Sequence, residues 1–145
     1  MLPHMAPGVD TKRRPNIAPN AAKPKRLLAS AKKADGSGAK ASVMEAIETN
    51  GNLAVVRAYT LTTVRKTIDT YVKAGLKVIA VSTSCPGWVE AVRRLRKTRP
   101  EVIVGVGGCS TPLRCKTAVA SGAQFIVSPT FDESLIKEAA RLKTP

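Results

Sequence analysis

The sequence predicts an α/β domain of four βα units, the pattern of half a (β/α)8 TIM barrel, preceded by a disordered basic leader. Two observations carry this. Four short apolar runs, at 53–56, 78–81, 102–104 and 125–127, begin 25, 24 and 23 residues apart. Each is continuous and mostly β-branched, as a parallel strand covered on both faces requires. The stretches between and after them, at 62–74, 87–98, 112–121 and 132–142, carry helical periodicity.

The leader comes first. The chain has 145 residues and a formal charge of +14, and residues 1–41 hold nine Lys/Arg against two Asp. Lys12-Arg13-Arg14-Pro15, Lys23-Pro24-Lys25-Arg26 and Lys32-Lys33 are separated by Ala and Pro, with few large apolar residues. Such a segment cannot bury enough surface to offset its chain entropy, so residues 1–41 are expected to be disordered and 42–145 to form the domain. A basic, acid-poor, Ala-rich leader suits a plastid or mitochondrial transit peptide, an arm for an anionic partner such as RNA, or a plain solvated tail on a cytoplasmic protein. It has no apolar core of the secretory-signal type.

A short helix led by Ser42 and covering 43–48 is expected ahead of the first strand. Gly75 and Gly122 follow the first and third inter-strand helices as C-terminal cap residues. Pro86 and Pro112 stand near helix starts, where a missing N–H does no harm, and Thr111 can cap the third helix. Right-handed crossovers follow from the chirality of parallel connections. Four units are half the number in a (β/α)8 barrel, and an open four-stranded α/β sheet is the competing arrangement.

In both folds ligands bind beyond the carboxyl ends of the strands. Those ends offer Arg57, then Ser82-Thr83-Ser84-Cys85, then Gly105 to Ser110 with Gly107 and Gly108 in the turn, then Ser128-Pro129-Thr130. This rim is small and polar with one cation, suited to a carboxylate or phosphate. The Gly-x-Gly-Gly run lacks the third glycine of a dinucleotide fingerprint, and no Lys-Ser/Thr follows it as in a P-loop. Cys85 and Cys109 are expected to face the mouth. Neither has a domain histidine to activate it, since His4 is the single histidine, so small packing residues account for them better. Three cysteines without CxxC spacing favour neither a disulfide framework nor a zinc site, and no apolar run of membrane-spanning length occurs.

The run Gly105-Val106-Gly107-Gly108-Cys109-Ser110-Thr111-Pro112, followed by Ala120-Ser121-Gly122-Ala123-Gln124-Phe125-Ile126-Val127-Ser128-Pro129, resembles the third and fourth βα units of the 2-keto-3-deoxy-6-phosphogluconate / 4-hydroxy-2-oxoglutarate (KDPG/KHG) aldolases. Ala54-Val55-Val56-Arg57, the Ala74 to Ile79 stretch and Pro86-Gly87 continue the match upstream. The resemblance implies a lyase of (β/α)8 form, usually trimeric, that cleaves a 2-keto-3-deoxy acid through a lysine Schiff base with no metal or other cofactor. It also implies departures. The family's second strand usually ends Glu-Val-Thr, with the Glu moving protons, and the matching positions are Ala80-Val81-Ser82. Ser84 stands for a substrate-binding arginine or threonine, and Gly108 for the threonine of a Gly-x-Gly-Thr turn. The family's Schiff-base lysine and phosphate loops belong to later strands, beyond Pro145. Arg57 and Ser128-Pro129 agree with the family.

The expectation is therefore an aldolase-like domain that is incomplete and inactive as this chain alone, either part of a longer enzyme or a degenerate domain retained for binding or assembly, with a 2-keto acid as its candidate ligand. The alternative is a structural or assembly subunit, homo-oligomeric or heteromeric, of a large organellar complex that can contain RNA. The cluster Arg93-Arg94-Leu95-Arg96-Lys97-Thr98-Arg99 favours an anionic partner, while aromatic residues at 3% leave few platforms for base stacking.

Overall fold

The computed structural model describes residues 36–145. Most of the basic leader expected over 1–41 lies outside the described residues. Its last six positions belong to helix α1 (Gly36–Asn50), which opens upstream of the start expected at Ser42. Gly36, Ser37 and Gly38 are weak helix formers and read as a linker. Further along, Val43 and Ile47, one turn apart, dock on Val78, Ala80 and Phe125, a long-range contact that local pattern does not reveal.

Four βα units follow: β1 (Ala54–Val56), α2 (Leu61–Lys73), β2 (Val78–Ser82), α3 (Trp88–Thr98), β3 (Ile103–Gly107), α4 (Pro112–Ala120), β4 (Phe125–Val127) and α5 (Glu133–Arg141). The strands form one parallel sheet in the order β1-β2-β3-β4. Side chains of Val56, Ile79, Val81, Val104 and Val106 meet Val64, Val92, Leu95, Ala118 and Leu135 of α2 to α5 in one buried cluster. The alternate positions face the other way, with Val55, Ala80, Gly105 and Phe125 in one register row and Ser82, Gly107 and Val127 in the next. All four following helices thus pack on one face, and α1 covers the amino end of the other. A doubly wound sheet would reverse its strand order and place helices on both faces. This chain has the singly wound arrangement of a barrel segment rather than a doubly wound one, with β1 and β4 as its two edges.

The helices start and stop where their chemistry directs. Thr60, Thr111 and Asp132 each adopt extended backbone and accept the N–H three residues on, from Thr63, Arg114 and Leu135. Pro112 occupies the first turn of α4, and Gly75 and Gly122 follow the ends of α2 and α4 at φ +86° and +102°.

Two strands run further than their apolar residues indicate. β2 extends through Ser82, and β3 through Gly107 rather than ending at Val104. Gly105 and Gly107, expected in the turn, are strand residues. Gly105 must be small, because a Cβ there would lie 2.2 Å from the Phe125 ring. The edge of β4 is met by the chain's last residue, whose carbonyl accepts the Ile126 N–H at 2.8 Å.

Candidate functional site

The carboxyl end of the sheet's inner face forms the site, and it has two levels. The lower is the row Val55, Ala80, Gly105 and Phe125. Ala80 is fully buried there, and the Phe125 ring fills the space over Gly105. One row higher the face opens, for a Cβ added at Gly107 would meet nothing within 4 Å. The site is a shallow dish floored by apolar atoms, with Ser82 and Gly107 in its wall.

The rim above it is laced by short-range bonds. Ser82 is buried, and its hydroxyl lies 2.8 Å from that of Ser84 while accepting the Ser84 N–H at 3.3 Å. Thr83 bridges to the neighbouring turn, its N–H donating to the Gly107 carbonyl and its hydroxyl to the Gly108 carbonyl, both at 2.8 Å. Gly108 holds φ +75°, and a side chain there would meet the Thr83 hydroxyl at 3.0 Å. Arg114, in the first turn of α4, donates from Nη1 to Thr83 Oγ1 at 3.3 Å. Arg57 leaves β1 exposed and makes no hydrogen bond or ion pair among the described residues. Ser128 turns inward on its own loop, donating to the Thr130 carbonyl at 2.6 Å and accepting the Thr130 N–H, and Pro129 is exposed.

The cysteines differ from expectation. Neither faces an open mouth. Cys85 is buried under the turn after β1, where its sulfur accepts the Ala58 N–H at 3.3 Å and its thiol donates to the Val56 carbonyl at 3.5 Å. Cys109 is buried too. Desolvation, then the neighbouring Cys115, pushes its thiol up to about 11, outweighing the opposing pull of Arg114. A thiol held protonated in this way is a packing group rather than a nucleophile. Strand alternation ends with the strand, so side-chain direction in the following turn could not be read from period alone.

The structure therefore gathers Ser82, Ser84, Gly107 and Gly108 of the predicted rim into one bonded cluster, and Gly105 lies a level below. Sequence reasoning missed Arg114 and Phe125. Arg114 stands three residues after the cap Thr111, on the helix turn nearest the rim, and that spacing was its available signal. The rim presents hydroxyls and two arginines, residue types that can hold an anion, while the N–H groups of Thr83, Ser84, Cys109 and Thr130 are engaged within the protein. Among the described residues no three of His, Cys, Asp and Glu come together in a way that could hold a metal ion, and no helix among them is long and apolar enough to cross a membrane.

The family model for KDPG and KHG aldolases matches residues 43–145, from α1 to the end of the last unit. The chain belongs to the KDPG/KHG aldolase family. The KHG/KDPG aldolase of Escherichia coli K12 is 35% identical over 74 residues, which are 51% of this chain and 35% of that protein. The KDPG aldolase of Legionella pneumophila, solved with pyruvate captured as a covalent carbinolamine, superposes with a TM-score of 0.59 at 25% identity, covering 64% of this chain and 45% of that one. The enzyme of Zymomonas mobilis ZM4, solved with 3-phosphoglycerate, gives 0.59 at 27% identity, covering 70% and 50%. The chain thus matches about a third of the curated relative's length and about half of each aldolase structure. Its four-stranded sheet with alternating helices is the family's barrel fold over that span.

Proposed function

We propose that this aldolase-like domain binds a 2-keto acid at its carboxyl rim and does not cleave it. The observation that carries the reading is Ala80. It occupies the inner-face position that the family resemblance equates with the proton-transferring glutamate, and it is fully buried between α1 and Phe125. Cleaving the C–C bond of a 2-keto-3-deoxy acid needs an amine to form the Schiff base that accepts the electron pair, and a base to take the proton from the substrate's hydroxyl. The predicted rim residues supply neither, whereas Arg57, Arg114 and the Ser82–Ser84 hydroxyls suit a carboxylate. The Legionella relative holds pyruvate, which supports a keto acid as the ligand.

Borohydride reduction in the presence of pyruvate tests the catalytic half. No adduct is expected above background lysine labelling, and a stoichiometric adduct at one lysine would refute the inactive reading. Ala80→Glu is expected to restore no turnover. It is also expected to lower stability by about 3 kcal/mol or more at neutral pH, because an unpartnered carboxylate would enter a filled apolar site; chemical denaturation reads this. Calorimetric titration with pyruvate tests the binding half, where Arg57→Ala should weaken any binding.

A second reading, a subunit of a larger assembly, is favoured by the two edge strands of the described residues, β1 with no strand on its outer side and β4 covered on its outer side only by the Pro145 carbonyl, together with exposed Val55 and Val127 on those strands. A plastid or mitochondrial destination is proposed from the basic leader composition alone. A mature native protein beginning at Met1, read by intact mass, would count against it.

A further inference from the structure

The outer faces of α2 and α3 and the chain leading into β2 carry Lys66, Lys73, Lys77, Arg93, Arg94, Lys97 and Arg99. All seven are exposed, and none has an ion-pair partner among the described residues. The two helices are adjacent, and Arg65 and Asp69 of the first line one furrow with Arg94, Thr98 and Arg99 from the second. Arg65 pairs with Glu90, and its Nε–H is buried without an acceptor. Asp69, Glu90 and Glu101 are the acids of this side, too few to balance the cations.

Helix-end electrostatics explains only part of this charge. Arg96 and Lys97 lie in the last turn of α3, where cations suit the dipole. Arg96 is already engaged, donating to Gln124 Oε1 at 2.9 Å. Arg93 and Arg94 lie a turn earlier. From Arg93 to Arg99 the chain advances roughly 9 Å, and with the neighbouring helix it forms a two-helix-wide basic surface.

What the surface lacks identifies its partner. None of the exposed large apolar residues, Val55, Tyr59, Leu113, Phe131 and Ile136 among them, belongs to α2 or α3. Nothing on this face can anchor in a bilayer interface or form the apolar centre of a protein contact. An extended, hydrated polyanion fits best, and the phosphodiester backbone of a nucleic acid is one. Tyr71 and Trp88, the aromatics of these helices, are half-buried against the core, so no ring is free to stack on bases.

We propose that the outer face of α2 and α3 is a sequence-independent binding surface for a nucleic-acid phosphate backbone, centred on Arg93, Arg94, Lys97 and Arg99. It lies apart from the carboxyl rim and does not depend on the keto-acid reading.

The test uses the full chain, so that the basic leader contributes equally to every measurement, with a fluorescein-labelled 24-base-pair duplex and anisotropy across a potassium chloride series. The four-site variant Arg93→Gln, Arg94→Gln, Lys97→Gln, Arg99→Gln is expected to bind about tenfold or more weakly at 100 mM salt. Its slope of log affinity against log salt should be shallower by about three to four units. The two-site variant Arg93→Gln, Arg94→Gln should give about half that change. A charge-matched control on α4, α5 and the chain end, Lys116→Gln, Lys137→Gln, Arg141→Gln, Lys143→Gln, should leave the slope within about one unit of the parent. An unchanged slope in the four-site variant, an equal loss in the control, or tighter binding to phosphatidylserine vesicles than to the duplex would each overturn the proposal.

Discussion

Gly105 and Phe125 are paired across β3 and β4, and their fit sets the depth of the dish. The ring takes the space a side chain at 105 would need, so Gly105→Ala forces either the ring or the strand to move. The expected cost is about 1–3 kcal/mol in denaturant unfolding, and Phe125→Leu in the same chain should recover part of it. Cys109 makes a different residue-scale statement. Its folded-state thiol is raised from 9.0 to about 11, so the unfolded chain loses its proton first as pH rises. The protonated thiol's contribution is complete below about pH 9 and is lost progressively towards pH 11. Thermal unfolding followed from pH 7 to 11 should show this fall. Cys109→Ala should remove that part of it, and the native thiol should resist alkylation at pH 8.

At the scale of elements, α4 depends on its cap more than its neighbours do. It has nine residues, no acidic group in its first turn and no basic group in its last, so little dipole compensation supports it. Thr111→Ala removes the oxygen that accepts the Arg114 N–H. The expected loss is about 1 kcal/mol in chemical denaturation, recovered by Thr111→Ser. Because Arg114 also reaches Thr83, a frayed first turn would loosen the rim as well. The same element scale separates what was legible in the sequence from what was not. The strand cores at 54–56, 78–81 and 125–127 are continuous apolar runs of the parallel-strand type, which located them, although only β2 is buried throughout and the edge strands leave Val55 and Val127 exposed. Gly105 and Gly107 hid the end of β3, because glycine resembles turn chemistry until the ring across the sheet is known. The part of helix α1 ahead of the start expected at Ser42 was hidden by Gly36 and Gly38. At the site, the rim's residue types were legible from the strand ends, but the Thr83–Arg114 bond, the buried cysteines and the filling of the dish by Phe125 depend on contacts between units.

Among the described residues the sheet is covered by four helices on one face and by α1 at one end of the other. Val55 and Val127, 44% and 38% exposed, mark the two edge strands on the less covered face. A strand edge and an apolar margin on each side are complementary to those of a second copy, with β4 of one protomer able to pair with β1 of the next in the same parallel sense. The chain is therefore expected to self-associate or to recruit a partner at micromolar concentration, and gel filtration with light scattering reads the mass. A soluble monomer with cooperative thermal unfolding would show instead that the exposed inner margin is tolerated in water.

The carbonyl of Pro145 holds the Ile126 N–H at the outer side of β4. That amide serves as a built-in reporter of who occupies the edge. While Pro145 is the acceptor, the amide's deuterium uptake follows local opening of the segment after α5 alone. Once another strand replaces Pro145, exchange at Ile126 requires the whole interface to part, and its slowing records the docking of that strand one residue at a time.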